Sequence, residues 1–373
     1  MTRVLHVYKT YGANARGGVE RCITQLLHAG SANGVQGEVL TIGSQDSIEQ
    51  VDGYAVHSVK CQLEIASTPM SVSFVSRLRA LAPRFDVIHY HFPWPWMDLS
   101  HLLGAVRTPS VVTYHSDVVR QKSWMPLYRP LMHRFLSAVD RIIVTSPDYL
   151  ASSPVLSHYK TKCSVIPIGL DAASYPALDT TREAYWRNRF GEQFFLFVGV
   201  LRYYKGLHVL IEAARRSGLP VLIVGDGPLA SRLQAQSRDL GHVHWLGALP
   251  EQDKAALLTL CRAFVFPSHL RAEAFGISLL EAAMFSKPMI SCAIGTGTSY
   301  VNANGETGIV VPPEDPAALA SAMQTLANDD SACASLGQQA RARFERLFQA
   351  QHAAEQHAAL YQQVTRSSSR AVA

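Results

Sequence analysis

Short apolar runs alternate with amphipathic segments along the whole chain. In the first half, the apolar runs predict six strands, at residues 4–8, 37–42, 86–91, 110–114, 141–144 and 163–166. Helical periodicity fills several of the intervals between them, at residues 18–32, 71–82 and 125–138. Strands that are almost continuously apolar and are separated by helices indicate a parallel sheet that is covered on both faces.

The second half repeats this alternation. Its strand patterns are at residues 194–199, 220–224, 242–245, 263–266, 288–290 and 308–311. Its helical patterns include residues 206–217, 228–240 and 277–284. After Pro312-Pro313 the pattern is helical to about residue 365, and we expect the Ser-, Arg- and Ala-rich tail beyond it to be disordered. Two such series predict an α/β fold of two doubly wound, Rossmann-like domains.

A polar stretch with Pro176 and several charges, at residues 170–189, separates the two series. It predicts an N-terminal domain at residues 1–170 and a C-terminal domain at residues 171–350, and we expect the helix near 350–365 to pack back on the first domain. Ligands of doubly wound sheets bind at the carboxyl ends of the strands. We therefore expect the two domains to face each other across a cleft lined by strand-end loops.

Composition narrows the class of protein. With 373 residues, of which 48% are hydrophobic, the chain can bury two large cores. It begins in a strand pattern without the features of a signal peptide, and no apolar run approaches the ~20 residues of a membrane span. The six cysteines are scattered, which indicates reduced thiols. A net charge of +5 argues against dedicated nucleic-acid binding. We expect a cytoplasmic enzyme.

Two acidic residues with seven positions between them, Glu273 and Glu281, are the strongest chemical signal. Glu273 lies in a predicted loop before a helix, and Glu281 lies about one turn inside that helix. Free N–H groups at a helix start bind anions, and here they belong to Phe275, Gly276 and Ile277. Carboxylates accept hydrogen bonds from sugar hydroxyls, so the combination indicates a nucleotide-sugar ligand. An acidic first turn that favours its own helix dipole would explain either glutamate alone.

Basic and glycine-rich turns follow two strands of the second half. After Gly199 the chain reads Val200-Leu201-Arg202-Tyr203-Tyr204-Lys205-Gly206 and then enters a helix. Two cations on one strand-end loop can neutralise a diphosphate without a metal. A solvated lysine is the weaker interpretation, because a cation at a helix start opposes the dipole. The next turn, Gly225-Asp226-Gly227-Pro228, is a weak signal by itself.

In the first half, Gly17-Gly18-Val19-Glu20 follows the first strand and a loop that contains Gly12 and Arg16. Glycines at this place let the backbone approach a ligand, although the run is not the G-x-G-x-x-G dinucleotide fingerprint.

Histidines mark two further strands. His115 follows a buried strand, where a polar residue is costly unless it is paired or used, and the residues alone support a structural and a functional role equally. His89 and His91 share one strand face. We predict a structural or acceptor-side role for them rather than a metal site, because no carboxylate or cysteine accompanies them.

Taken in order, these motifs resemble the retaining nucleotide-sugar glycosyltransferases of glycosyltransferase family 4, which have the two-domain GT-B fold. The matching segments are residues 17–20, 86–89, 115, 165–169, 199–206, 225–228, 246–247, 267–268 and 273–281. The basic loop at 201–206 and the run at 295–300 look like bacterial O-antigen mannosyl- or rhamnosyltransferases that use GDP-sugars.

The resemblance implies a role for each matching residue. Glu281 would hold the donor ribose, Glu273 would contact the transferred sugar, and His115 would lie at the reacting sugar. Lys205 and an arginine would bind the diphosphate. The other donor-binding residues that it implies are Gly17, Gly18, Gly199, Gly225, Leu246, Phe275, Gly276 and Ile277. The family usually has arginine directly after the glycine that matches Gly199, whereas this chain has Val200 there and offers Arg202 instead.

The same residues suggest a mechanism. Lys205, Arg202 and the Gly18 amide would stabilise the charge that develops on the leaving nucleoside diphosphate. No D-x-D motif stands at a strand end, so we expect transfer without a metal and without a cofactor. The resemblance implies that the donor's anomeric configuration is kept. Double displacement would need a carboxylate on the opposite face of the sugar. The sequence offers no clear candidate, so we expect same-face attack assisted by the leaving phosphate.

The acceptor side is less specific. Residues 118–129, continuing through His133 and Arg134, mix basic and aromatic side chains. Such a segment can lie on an anionic membrane leaflet, and an ordinary amphipathic helix explains it equally well. The partners that we expect are a nucleotide-sugar donor, a lipid-linked or oligosaccharide acceptor and an anionic membrane surface at the inner face of the plasma membrane, with no nucleic acid.

Competing functions share this scaffold. A sugar-nucleotide epimerase or a phosphorylase would need no saccharide acceptor, and a transferase could use a UDP-sugar. A non-catalytic assembly partner would have lost charged site residues, whereas Glu273, Glu281, Lys205 and His115 are all present. A nicotinamide-dependent dehydrogenase is disfavoured by the missing glycine fingerprint.

Overall fold

The computed structural model describes residues 1–12, 17–65, 67–118 and 125–372, with the side chains of the last helix as far as Ser367. The chain forms two compact units. The first consists of Met1–Gly169 and Ala350–Ala373, and the second is Leu170–Gln349. The first unit is therefore built from two segments that the second unit separates in the sequence.

Strands and helices alternate through both units. The strands are β1 Thr2–Val7, β2 Val35–Gly43, β3 Ser47–Val51, β4 Tyr54–Lys60, β5 Leu63–Ile65, β6 Thr68–Met70, β7 Val87–Phe92, β8 Ser110–Tyr114, β9 Arg141–Val144, β10 Cys163–Val165, β11 Phe195–Val198, β12 Val221–Val224, β13 Val243–Gly247, β14 Ala263–Phe266, β15 Met289–Cys292 and β16 Gly308–Val311. The α-helices are α1 Gly18–Ser31, α2 Val72–Leu81, α3 Pro95–Leu103, α4 Met125–Ala138, α5 Pro147–Ser152, α6 Thr180–Phe190, α7 Leu207–Ser217, α8 Ala230–Gln236, α9 Glu251–Leu260, α10 Ile277–Met284, α11 Gly297–Val301, α12 Pro316–Asn328, α13 Asp330–Leu347 and α14 Ala350–Val372.

The first unit contains an eight-stranded sheet in the order β10-β9-β8-β7-β1-β2-β4-β3. Neighbouring strands are parallel except β3 and β4, which form an antiparallel hairpin at one edge. From β1 the chain adds β2 and β4 on one side, and from β7 it adds β8 to β10 on the other. The carboxyl ends of β1 and β7 therefore form a topological switch point.

The sequence patterns missed the four strands from β3 to β6. Strand β3 is mostly exposed and polar, so it lacks the apolar run that marks the buried strands. The turn between β3 and β4 consists of Asp52 and Gly53, which have positive φ angles of 50° and 83°. An Asp-Gly pair favours a two-residue hairpin turn. The Asp52-Gly53 dipeptide is the sequence signal from which this hairpin could have been predicted.

Helix α14 completes the core of the first unit. Leu360, Tyr361 and Val364 belong to one buried cluster with strand residues such as Val4 and Val87. The helix reaches Val372, so the prediction of a disordered tail beyond residue 365 was wrong. Residues 350–373 contain no Gly or Pro that would end the helix. The hydroxyls of Thr365 and Ser367 donate to carbonyls of the preceding turn, at Tyr361 and Gln363, which is compatible with a continuous helix.

The second unit contains a six-stranded, fully parallel sheet in the order β13-β12-β11-β14-β15-β16. From β11 the chain adds β12 and β13 on one side, and from β14 it adds β15 and β16 on the other. The switch point of this sheet therefore lies between β11 and β14. Phe195, Phe197, Val265 and Ile290 belong to the buried core beneath it.

Helix α6 occupies much of the polar stretch at residues 170–189 and belongs to the second unit. The carboxylate of Asp179 caps the helix by accepting from the N–H groups of Thr181 and Arg182, at 2.9 and 3.2 Å. Trp186 is 5% exposed and donates its indole N–H to Asp253 at 3.0 Å. Much of the stretch is therefore a packed helix and not a linker.

All six cysteines are unpaired, and Cys22, Cys261, Cys292 and Cys333 are buried, as the sequence predicted for reduced thiols. Across the described ranges, the helices lack the combination of length and apolar character that spanning a membrane requires.

Candidate functional site

The loops that follow β11 and β14 meet at the switch point of the second sheet. The two strands pair directly, with Phe195 opposite Ala263 and Leu196 opposite Phe264. Beyond them, the backbone N–H of His269 donates to the carbonyl of Tyr204 at 3.0 Å and ties the two loops together. Doubly wound sheets bind their ligands at this edge.

Lys205 and Glu273 form an ion pair across this junction. Nζ of Lys205 lies 2.6 Å from Oε2 of Glu273, and the two side chains are 10% and 12% exposed. The hydroxyl of Ser268 donates to the same carboxylate oxygen at 3.1 Å. The ammonium also lies 4.6 Å from the centre of the Phe266 ring. The sequence predicted the two charges as separate ligand contacts, whereas the structure brings them into direct contact, which satisfies two largely buried charges.

Two glycines allow the loops of this edge to approach each other. Gly206 has a φ of +68°, and a Cβ built on it would lie 1.9 Å from the carbonyl oxygen of Pro267. Gly225 has a φ of +134°, and its Cβ would lie 2.0 Å from the carbonyl oxygen of Gly199. Neither overlap can be relieved by a side-chain movement, because both involve backbone atoms. These positions therefore require glycine.

We expect Gly206→Ala to lower the free energy of unfolding by about 1–3 kcal/mol more than Gly218→Ala, because only the first adds overpacking to backbone strain. The two glycines flank α7 and both have a φ of +68°, but Gly218 has no neighbouring atom within 4 Å of a built Cβ. Denaturant unfolding of both variants measures the difference. Equal losses would contradict the close contact with Pro267.

Glu281 lies one turn inside α10 and is 5% exposed. Its Oε1 accepts a hydrogen bond from the hydroxyl of Tyr175 at 2.8 Å. Sequence reasoning missed Tyr175, because a single tyrosine in a polar stretch belongs to no recognisable pattern. The hydrogen bond fixes the orientation of one carboxylate oxygen.

Backbone N–H groups surround the start of α10. Gly276 caps the helix with a φ of +87°. The N–H groups of Phe275, Gly276 and Ile277 have no backbone acceptor in the part of the chain that the structure describes. A helix start of this kind can donate to an oxygen anion.

Arg202 does not join the ion pair. It is exposed, and its guanidinium lies beside the hydroxyl of Tyr204. No ion pair links Arg202 to Glu273 within the described residues. Val200, at the position where family members usually have arginine, is 46% exposed.

The ends of β11, β12 and β13 are joined by backbone hydrogen bonds. The N–H of Gly199 donates to Val224 at 3.0 Å, and the N–H of Gly225 donates to Gly247 at 2.8 Å. Leu246 lies in β13 and is partly buried. The residues that the resemblance implied for donor binding in this unit thus lie at the carboxyl ends of four adjacent strands, in the loops that follow them, or in the first turns of α10.

In the first unit, Gly17 caps α1 and Gly18 is its first residue. A Cβ built on Gly17 would lie 2.1 Å from the carboxylate of Glu20, which itself accepts from the hydroxyl of Thr10 at 2.6 Å. The carboxylate is the end of a flexible side chain, so this contact by itself does not require glycine at position 17. Arg16, which the sequence places in the preceding loop, lies outside the described residues, as do residues 119–124 of the segment considered for membrane contact.

His115 directly follows β8 and is 7% exposed. Its Nε2 lies 3.0 Å from Nδ1 of His91, whereas its Nδ1 has no hydrogen-bond partner among the described residues. Burial, with a smaller contribution from His357, lowers the pKa of His115 to about 3. The ring is therefore neutral at pH 7, with one nitrogen used inside the unit and one available.

Among the residues that the structure describes, two groups of side chains have a geometry that could hold a metal ion: His6 with His89 and His91, and His208 with His269 and Glu314. Both ring nitrogens of His89 already lie 2.7 Å from hydroxyl partners, Tyr361 and Thr113. An ion in the first group would have to break one of these hydrogen bonds. Neither group includes Lys205, Glu273 or Glu281.

Known protein families match both halves of the chain. A family model described as Glycosyltransferase Family 4 matches residues 16–174, and one described as Glycosyl transferases group 1 matches residues 183–343. The D-rhamnosyltransferase WbpZ of Pseudomonas aeruginosa is 51% identical over 352 residues, which cover 93% of this chain and 92% of that protein. The O-antigen chain mannosyltransferase C of Escherichia coli is 47% identical over 372 residues, which cover 98% of this chain and 100% of that protein.

Solved structures share the fold at lower identity. Sucrose-phosphate synthase of Thermosynechococcus elongatus has a TM-score of 0.79 at 22% identity, covering 98% of this chain and 100% of that chain. HepE of Anabaena, in complex with UDP and glucose, has a TM-score of 0.76 at 18% identity, covering 96% and 99%. WaaG, a glycosyltransferase involved in lipopolysaccharide biosynthesis, has a TM-score of 0.70 at 17% identity, covering 96% and 99%.

Proposed function

The chain belongs to glycosyltransferase family 4 and has the two-domain GT-B fold, and we propose that it transfers mannose or rhamnose from a GDP-sugar in O-antigen synthesis. The names of the two relatives that are about half identical to it over nearly their full lengths support the sugar and the pathway. The acceptor is a lipid-linked or oligosaccharide chain. The observation that carries the proposal is the Lys205–Glu273 pair, held at the switch point beside helix-start amides that have no backbone acceptor among the described residues.

In this proposal the second unit binds the donor. Glu281 accepts hydrogen bonds from the ribose hydroxyls, and the hydroxyl of Tyr175 keeps its carboxylate in position. Lys205 binds the diphosphate, and Glu273 turns from the ammonium toward the hydroxyls of the sugar. The amides of Phe275 to Ile277 donate to donor oxygens. Arg202 reaches the phosphates from the surface of the same loop.

The first unit contributes the remaining residues. Gly17 and Gly18 bring the start of α1 against the phosphates, and His115 contacts the transferred sugar through its available Nδ1.

Transfer proceeds without a metal and keeps the anomeric configuration of the donor. Lys205, Arg202 and the amides lower the barrier because they are already aimed at the charge that develops on the leaving diphosphate. The acceptor hydroxyl attacks the same face of the sugar and gives its proton to the departing phosphate oxygen. The chemical shift of the anomeric proton of the product tests retention, and unchanged rates in EDTA test metal independence. An inverted product, or loss of transfer in EDTA that added Mg²⁺ restores, would contradict the mechanism.

Docking on an anionic membrane would place the enzyme beside a lipid-linked acceptor. In α4, Leu127 is 76% exposed, and Arg129 and Arg134 are also exposed. Each cation near an anionic leaflet contributes ~1 kcal/mol. Co-sedimentation with liposomes that contain or lack anionic lipid tests this contact. Equal soluble fractions with both would contradict it.

Donor binding is the direct test of the proposed site. We expect GDP-mannose or GDP-rhamnose at a hundred times its dissociation constant to stabilise the protein by ~2.7 kcal/mol, with smaller shifts for UDP- and ADP-sugars. Glu281→Gln keeps the shape and the Tyr175 contact but removes the charge, and should weaken binding by about 10- to 100-fold. Glu345→Gln, a change at a side chain that is 49% exposed, is the control. Normal binding by Glu281→Gln would contradict the ribose contact.

A further inference from the structure

Three histidine rings form a continuous hydrogen-bonded chain across neighbouring strands of the first sheet. His6 lies in β1, His91 lies in β7, and His115 follows β8. Nδ1 of His6 lies 3.2 Å from Nε2 of His91, and Nδ1 of His91 lies 3.0 Å from Nε2 of His115. The rings are 2%, 0% and 7% exposed. The chain therefore connects the interior of the unit to His115.

Each ring is neutral at physiological pH. Burial, with a smaller contribution from His357, lowers the pKa of His6 and of His115 to about 3. Burial and the neighbouring histidines hold the pKa of His91 well below its usual value of 6.5. A neutral imidazole has one N–H donor and one acceptor nitrogen.

This restriction couples the three tautomers. His91 is bonded through both nitrogens, so it donates to one neighbour and accepts from the other. If His91 donates from Nδ1 to His115, it accepts at Nε2 from Nδ1–H of His6, and all three rings carry the proton on Nδ1. In the opposite arrangement, all three carry it on Nε2. The outer Nδ1 of His115 is a donor in the first state and an acceptor in the second.

The inner end of the chain favours the first state. Nε2 of His6 has no hydrogen-bond partner among the described residues, and it lies beside the backbone of Gly37, 3.5 Å from a Cβ built on that glycine. The second state needs an acceptor for the Nε2–H of His6, and none is found among the described residues, whereas the first state needs none there. The described contacts therefore favour the first state, in which all three rings carry the proton on Nδ1.

We propose that His91 and His6 are positioning residues that hold His115 in the Nδ1-protonated tautomer, so that it presents an N–H donor to an oxygen of the sugar in transfer. The proposal rests on the proposed function of His115 as a contact of that sugar. Neither His91 nor His6 touches the substrate in this account. They act by fixing the direction of a hydrogen bond that is made in the reaction.

Two-bond ¹H–¹⁵N correlation spectra of the full chain with ¹⁵N-labelled histidine distinguish the two tautomers directly. We expect His6, His91 and His115 in the Nδ1–H form at pH 7.5. His6→Leu removes the donor to His91 and should release His115 from this form. His6→Asn keeps an amide N–H near the position of Nδ1 and should preserve it.

Kinetics of the same protein provide the second measurement. We expect His91→Leu to lower kcat by about 10- to 100-fold with an unchanged donor KM, because a misdirected donor weakens the transition state and not donor binding. His91→Asn, which keeps a donor toward His115, should restore most of the rate. The matched control is His101→Leu, since His101 is also buried, at 5% exposure, but bonds to the hydroxyl of Tyr90 at 2.9 Å and is not part of the histidine chain. It should lose stability and keep kcat.

Three results would overturn the proposal: Nε2–H rings in the wild-type spectrum, equal kcat values for His91→Leu and His101→Leu, or a stoichiometric metal on His6, His89 and His91 by elemental analysis. A failure of the proposed sugar transfer would give a result different from these three. Wild-type protein would then be inactive with every GDP-sugar, while the spectra would still decide the tautomer.

Discussion

Lys205→Met is expected to lower the rate of sugar transfer by about 10²- to 10³-fold, the usual effect of removing one pre-aimed charge or donor from a developing anion. Methionine keeps the length of the side chain and its packing on the Phe266 ring. The substitution therefore removes the positive charge of the ammonium group. Steady-state assays with saturating donor should show the loss in kcat, because the charge on the diphosphate develops in the transition state.

The same substitution should also destabilise the second unit, by about 3 kcal/mol, because it leaves the largely buried carboxylate of Glu273 without its cation. The double variant Lys205→Met/Glu273→Gln separates the two effects. It should recover most of the stability, since Ser268 can still donate to the side-chain oxygen, but none of the transfer. If Lys205→Met and Glu273→Gln each turn over donor normally, the assignment of the site to this ion pair is wrong.

In mild acid the first unit is expected to unfold before the second. Burial lowers the pKa of His6 and His115 to about 3, and that of His101 and His357 to about 4. In the unfolded chain these groups titrate near 6.5. As the pH falls below 6.5, the unfolded chain binds protons that the folded unit cannot, so stability is lost with falling pH down to the folded pKa.

Each such histidine lowers the free energy of unfolding by about 1.4 kcal/mol per pH unit. Two of them together remove about 4 kcal/mol between pH 6.5 and pH 5, out of a typical 5–15 kcal/mol. Asp98 has the opposite effect on the pH dependence of stability. Burial raises its pKa, so the folded unit holds a proton that the unfolded chain releases.

Hydrogen exchange measured by mass spectrometry across a pH series locates the opening. Peptides from β1, β7, β8 and α14 should lose protection near pH 5 while peptides from the second sheet keep it. His101→Gln serves as an internal control. It removes one titrating group and should reduce the pH dependence of the free energy of unfolding by the contribution of one histidine. Loss of protection in the second unit first would contradict the prediction.

The location of the proposed site follows from the order of strands and loops in the sequence. The predicted strand at residues 263–266 coincides with β14, and the predicted helix at residues 277–284 coincides with α10. The prediction of two doubly wound α/β domains is confirmed. Apolar runs predict these elements well because buried parallel strands have no polar face. The carboxyl-end rule then directs attention to Lys205, Glu273 and Glu281 before any coordinates are known.

Contacts between distant strands could not be predicted in the same way. Nothing local in the sequence states that β11 and β14 are neighbours, so the Lys205–Glu273 contact was not foreseen. The hydrogen bond between Tyr175 and Glu281 could not be predicted for the same reason. His6 was overlooked because a single histidine in an apolar strand has no pattern. The pairing of β1 with β7 places His6 opposite His89 and so brings it next to the histidines of β7. This pairing cannot be read from the local sequence.

The separation of the first unit into two stretches of chain has a consequence during synthesis. When residue 169 has left the ribosome, the sheet of that unit still lacks the helix that supplies Leu360, Tyr361 and Val364 to its core. The roughly 180 residues that intervene take on the order of 10–40 s to translate. For that interval the nascent chain carries an unfinished apolar face, whereas Leu170–Gln349 is contiguous and can close on itself as soon as it emerges. The half that begins first is therefore completed last.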